Sequence, residues 1–275
     1  MQDIVIWTGP VALYQVPGAT LAGARDINIG CFGDKSPHCP TIAESYRDPD
    51  GRMLPQLLAA QGLSEADVGV LAIGAFSAGG SLVKRLLLEP RDRAAIDVVH
   101  LADASYTSSW EDQSSRMPPP IEGYVRYGLD AIDGPHLLVA TASPIPNKSW
   151  ASGVENLRRL RADLERLSGR RFEPTLLDTD PPPLAAYQLG NVILAEYDRE
   201  PLGHGHTAIA GQLWDQVVRP WLGRASGPGP VEPPATPVPE PSSPPSGALG
   251  RALAFGAGAI AGYATTVAIS RVVSR

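Results

Sequence analysis

Residues 68–80 read Val68-Gly-Val-Leu-Ala-Ile-Gly-Ala-Phe-Ser-Ala-Gly-Gly80. An uncharged, apolar run of nine residues, Val68–Phe76, predicts a strand buried on both faces. The residues from Ala78 to Leu88 predict a helix, so Ser77 stands on a strand-to-helix turn. A nucleophile on such a turn is held in a tight conformation. It needs small residues two before and two after it, because strand and helix backbones pass closely. Ala75 and Gly79 hold those positions. The Ala78 N–H, first in the helix, is a candidate oxyanion donor, and the helix dipole favours negative charge there. The plainer reading is a serine that caps a helix, since small-x-Ser-x-Gly arises by chance in an Ala- and Gly-rich chain.

Outward from this turn, further apolar runs predict strands at Ile4–Thr8, Asp26–Cys31, Ile96–Ala102, His136–Ala142 and Val192–Tyr197. Helical spacing appears at Met53–Gln61, at Ser149–Leu167 (Val154, Leu157, Leu160, Leu164 and Leu167 on one face) and at His206–Leu222. Continuous apolar strands alternating with helices predict an α/β fold, a doubly wound and mostly parallel sheet covered on both faces. The segment Thr107–Gly128, with Trp110, Met117 and three prolines, is a candidate pocket cover.

A serine nucleophile needs a base and an acid that orients the base. His38 reads as a loop polar group, His100 as a satisfied core histidine and His136 as a strand-edge residue. His204 and His206 lie in the Gly-rich loop Pro201–Thr207, between the last strand and the last helix, where a base swings over the sheet edge. His206 is the first choice and His204 the alternative. An H-x-H metal site is the competing reading, but no carboxylate or cysteine cluster accompanies it, so neither a metal nor a cofactor is expected. Asp103 ends the strand after the Ser77 helix, and the loop Ser143–Ser149 contains no carboxylate, which favours Asp103 as the acid. Asp178 and Asp180 are fallbacks, with Asp198 and Glu200 near the histidine loop as further options.

The order Ser77, Asp103, histidine on strand ends resembles the α/β-hydrolase superfamily, in its compact cutinase- and esterase-like form, over roughly residues 1–224. The resemblance implies acyl transfer: Ser77 attacks a carbonyl, the histidine takes its proton and Asp103 holds the imidazole. It also implies a second oxyanion donor near Gly9. Ala75 replaces the family's first glycine, the acid sits one strand early, and a His-Gly-Gly motif is missing. A serine hydrolase of the esterase or lipase kind, acting on a small-molecule or lipid ester, is therefore expected. The competing expectations are a peptidase or amidase with the same triad and a non-catalytic membrane-anchored interaction or structural protein on the same fold.

Composition adds limits. The chain has 275 residues, 28 Pro beside 28 Gly, two cysteines and a net charge of −6. Acidic balance argues against nucleic acid as a partner. Cys31 and Cys39 cannot form a disulfide framework and read as thiols in a reducing compartment. Nine prolines fall within residues 225–247, which predicts an extended, disordered spacer. Beyond it, residues 248–275 include nineteen uncharged residues, Ala252–Ser270, with Arg251 before them and Arg271 after. As a helix they span about 28 Å, close to the hydrocarbon core of a bilayer. Gly258 and Gly262 form a G-x-x-x-G pair suited to helix–helix self-association. A membrane-associated or transmembrane tail is expected. With no signal peptide evident at the N-terminus, the catalytic domain is expected on the cytoplasmic side.

Overall fold

The computed structural model describes residues 1–9, 23–30, 44–105, 121–144, 152–198 and 213–225. The elements run β1 (Gln2–Gly9), β2 (Arg25–Gly30), α1 (Leu54–Ala59), β3 (Val68–Phe76), a 3-10 turn (Ser77–Gly79), α2 (Gly80–Leu86), α3 (Pro90–Ala94) and β4 (Val98–Ala102). They continue with α4 (Glu122–Asp133), β5 (Leu137–Ala142), α5 (Gly153–Ser168), β6 (Glu173–Pro174), β7 (Ala185–Leu189), β8 (Val192–Glu196), a π-turn (Trp214–Val218) and α6 (Arg219–Ala225). All described residues belong to the first of two compact units, Met1–Pro230. Nearly all of the spacer expected at 225–247, the tail expected at 248–275 with Gly258 and Gly262, Cys31, Cys39 and His38 lie outside the described residues.

One eight-stranded sheet has the order β2-β1-β3-β4-β5-β8-β7-β6. Six strands are mutually parallel, and β7 and β6 add an antiparallel edge. The six predicted strands stand where the apolar runs put them. The chain moves from β1 outward to β2, then crosses back to β3 on the other side of β1, which creates a switch point between β1 and β3. In such sheets a crevice opens there, outside the carboxyl ends of the strands.

Side-chain alternation along β3 separates two cores. Leu71, Ile73 and Ala75 face a layer built by α1, α2, α4 and α5, with Leu54, Leu82, Tyr127 and Leu160 fully buried in it. Ala72 faces the second core, where Trp7, Val139, Trp214, Val218 and Leu222 pack. Both faces are covered, and so β4 and β5 are buried at every position.

Helix α5 is specified locally. The Ser152 hydroxyl accepts the Glu155 N–H at 3.3 Å, the Ser152 N–H donates to the Glu155 carboxylate at 2.7 Å, and Gly169 closes the helix at φ 70°. Its predicted stripe is buried except Leu167, which is 51% exposed. Leu167 falls in the last turn before the cap, outside the packed layer.

At three places the structure departs from, or adds to, the expectations from the sequence. First, the part of the candidate pocket cover from Glu122 onward is α4, a core helix that buries Tyr124, Val125, Tyr127 and Gly128; residues 106–120 lie outside the described ones. Second, β6 and β7 carry no long apolar run. Yet Gly190-Asn191, with Gly190 at φ 56°, is a two-residue hairpin signal that joins β7 to β8. Third, His100 is buried, but neither ring nitrogen has a hydrogen-bond partner among the described residues, so it is not a satisfied core histidine.

Candidate functional site

β3 delivers Ser77 to the carboxyl edge of the sheet at the switch point, half-buried and with φ 50°. A left-handed backbone at a non-glycine residue costs on the order of 1–3 kcal/mol and persists only where the surroundings impose it. Those surroundings are visible. A Cβ at Gly79 would stand 2.2 Å from the Thr8 carbonyl oxygen, and one at Gly80 would stand 1.8 Å from the Ala104 carbonyl oxygen. Both contacts exclude any side chain there. Two buried hydrogen bonds then fasten the turn: Thr8 Oγ1 donates to the Gly79 carbonyl at 2.7 Å, and the Tyr124 hydroxyl donates to the Gly80 carbonyl at 2.6 Å. The requirement at position +2 was readable in the sequence. The requirement at +3 was not, because it comes from β4 and α4.

Asp103 takes up the same kind of position on the next strand. Phe76 and Ala102 are the last paired residues of β3 and β4, so Ser77 and Asp103 leave adjacent strands side by side. Asp103 has φ 45° and is only 3% exposed. Its N–H donates to Thr141 O and Thr141 Oγ1, each at 3.1 Å. Its carboxylate accepts the Ser143 N–H at 2.9 Å and the Ser143 hydroxyl at 2.7 Å, one on each oxygen. Gly153 at the start of α5 closes over it, and a Cβ there would be 2.8 Å from Asp103 Oδ1.

The other predicted site residues are placed as follows. Gly9 ends β1 beside Phe76, one residue short of Ser77, and a Cβ on it would stand 3.8 Å from the Phe76 Cβ. The backbone of Ala78 lies in the 3-10 turn. His204, His206 and Glu200 lie outside the described residues. Asp198 follows β8 and leaves the same carboxyl edge, two strands beyond Asp103. Asp178 and Asp180 precede β7; the Asp178 carbonyl accepts a bond from Gln216 Nε2. His136 caps a strand edge as predicted, with Nδ1 2.8 Å from the Ile96 carbonyl.

Thr141, Ser143 and Tyr124 were missed in the sequence. Their bonds to Asp103 and Gly80 span 38, 40 and 44 residues, respectively. No local pattern encodes such contacts. Among the described residues no group of three His, Cys, Asp or Glu side chains is arranged to hold a metal ion. Among them, too, no helix is long and apolar enough to cross a membrane.

Beneath the site, the second core holds an aromatic cluster. The Trp7 ring lies over Gly74, where a Cβ would be 2.0 Å from Trp7 Cζ3, and so reaches His100 across the sheet. Ring centroids are 5.9 Å apart for Trp7–His100, 5.9 Å for His100–Trp214 and 5.2 Å for Trp7–Trp214. Burial pushes the His100 imidazole down to about 4.

No family model matches the chain, and no curated protein matches it. Among solved structures it is similar to a poly(3-hydroxybutyrate) depolymerase from Bordetella parapertussis, with a TM-score of 0.36 and 15% identity over 78% of this chain and 80% of that one. A likeness of that order carries no argument about chemistry. The functional reading rests on the geometry of this chain.

Proposed function

We propose that this chain is a serine hydrolase of carboxylic esters. The observation that supports it most directly is the left-handed Ser77 on a glycine-lined strand–turn–helix at the β1/β3 switch point, beside Asp103. In this reading Ser77 Oγ attacks the ester carbonyl while His206 takes its proton; His204 is the alternative base. Asp103 holds the imidazole and stabilises its cation. The backbone N–H groups of Ala78 and Gly9 receive the oxyanion. The histidine returns its proton to the leaving alcohol, and water then releases the acid from the acyl-enzyme. The substrate class is a small-molecule or lipid ester. Residues 252–270 hold the enzyme at a membrane, with the catalytic domain on the cytoplasmic side.

Ser77→Ala is expected to abolish hydrolysis of p-nitrophenyl butyrate and labelling by a fluorophosphonate. Labelling retained by that variant would sink the assignment. The tail is tested by fractionation with and without residues 225–275, and equal partitioning of both forms rejects the anchor. One observation favours a second reading, a non-catalytic protein on the same fold: both Asp103 oxygens are already engaged by Ser143. A wild-type chain that neither hydrolyses nor labels supports that reading.

A further inference from the structure

We infer that Ser143 is the positioning residue of the acid. The inference rests on the hydrolase reading of Ser77 and Asp103.

Ala102 pairs with Thr141 in the β4/β5 register, so the chain beyond β5 runs directly past Asp103. Ser143 is fully buried there and supplies two donors, its N–H to Oδ1 at 2.9 Å and its hydroxyl to Oδ2 at 2.7 Å. One bond alone leaves a carboxylate free to turn about its terminal torsion, which is soft and broad. Two bonds from one residue, one on each oxygen, fix the carboxylate plane. The backbone beneath is fixed as well, because the Asp103 N–H is shared by the carbonyl and hydroxyl oxygens of Thr141. Gly153 packs against Asp103 Oδ1, and its own carbonyl is held by the Ser105 hydroxyl at 3.0 Å.

An ionised carboxylate has about four acceptor sites, and Ser143 occupies two. With these two sites fixed, the direction from which the carboxylate accepts an imidazole N–H is set by Ser143. The acid thus comes from β4, while the groups that aim it come from the end of β5. A misplacement of about 1 Å in such a constellation lowers rates by up to 10²-fold, so the hydroxyl alone carries a kinetic signature.

The test is a double-mutant cycle in the full chain with p-nitrophenyl butyrate. Ser143→Ala is expected to lower kcat by about tenfold with KM unchanged, and to slow fluorophosphonate labelling in proportion. Ser143→Cys keeps the shape with a weaker donor and is expected between wild type and Ser143→Ala; it carries the cycle if Ser143→Ala does not fold. Asp103→Asn combined with either Ser143 variant is expected to be no slower than Asp103→Asn alone, because Ser143 acts only through the acid. Multiplying losses, or an unchanged kcat in both Ser143 variants, overturns the inference while the Ser77 assignment stands. Labelling retained by Ser77→Ala overturns the hydrolase reading and this inference with it.

Discussion

Ser77 and Asp103 leave neighbouring parallel strands at the same level and in the same left-handed backbone conformation, φ 50° and 45°. They are the two non-glycine residues with positive φ among the described residues. Adjacent strands lie about 4.8 Å apart. Two strained residues, one a hydroxyl and one a carboxylate, therefore stand on adjacent strands at the carboxyl edge of the sheet, next to the β1/β3 switch point. Strain of this kind concentrates where function holds it in place.

The strain at Ser77 has a measurable counterpart in stability. Glycine adopts positive φ without a Cβ penalty. Ser77→Gly is therefore expected to remove all hydrolysis and to raise unfolding stability by about 1 kcal/mol, read from chemical denaturation. A less stable Ser77→Gly chain would show that the hydroxyl, rather than the backbone geometry, secures the turn.

Two glycines in helices separate close packing from helix propensity. Gly80→Ala drives a methyl group onto the Ala104 carbonyl and presses on the Tyr124 hydroxyl. It is expected to cost about 2 kcal/mol or more and to displace the Ser77 turn, which lowers activity further. At Gly223 in α6 a Cβ meets nothing within 4 Å. Gly223→Ala is expected to stabilise by about 0.5–1 kcal/mol with activity unchanged. Thermal melts of the two variants should shift in opposite directions.

His100 makes stability depend on pH. Its imidazole is held at about 4 in the fold, against 6.5 ordinarily, and burial is the cause. The fold therefore favours the neutral ring. Its contribution is complete above pH 6.5 and is lost as pH falls from 6.5 to 4, because the unfolded chain takes up the proton first. Over that window the loss amounts to about 3 kcal/mol. His100→Leu also removes ring nitrogens that have no partner among the described residues, and should flatten this part of the curve at little cost at pH 7. Denaturant unfolding at pH 7, 5 and 4 checks it. Parallel pH curves for wild type and His100→Leu would assign the acid sensitivity to other groups.

Much of the architecture was legible because local chemistry agrees with the tertiary answer. The runs Val68–Phe76 and His136–Ala142 are apolar at almost every position because both faces of the sheet are covered. The stripe from Val154 to Leu164 has helical spacing because one face of α5 meets the sheet. Less was legible where the signal is short or distant. β6 has two residues, β7 is half-exposed, and α4 was obscured by a proline-rich stretch before it. His100 looked like any core histidine. Only the tertiary structure sets the Trp7 and Trp214 rings against it and leaves its ring nitrogens without a hydrogen-bond partner among the described residues.

For the site, the amino-acid sequence by itself determined which residues stand at the strand ends: Ser77 with small neighbours at −2 and +2, and Asp103 after the next strand. Strand length and residue size are local properties, and they are written in order along the chain. Only the tertiary structure decided that these two ends meet in register, that Gly80 must clear the Ala104 carbonyl, and that Ser143 grips the Asp103 carboxylate. Those relations join residues tens of positions apart. Hydrogen bonds and close contacts of that range depend on how parallel strands align, which no single stretch of the chain specifies.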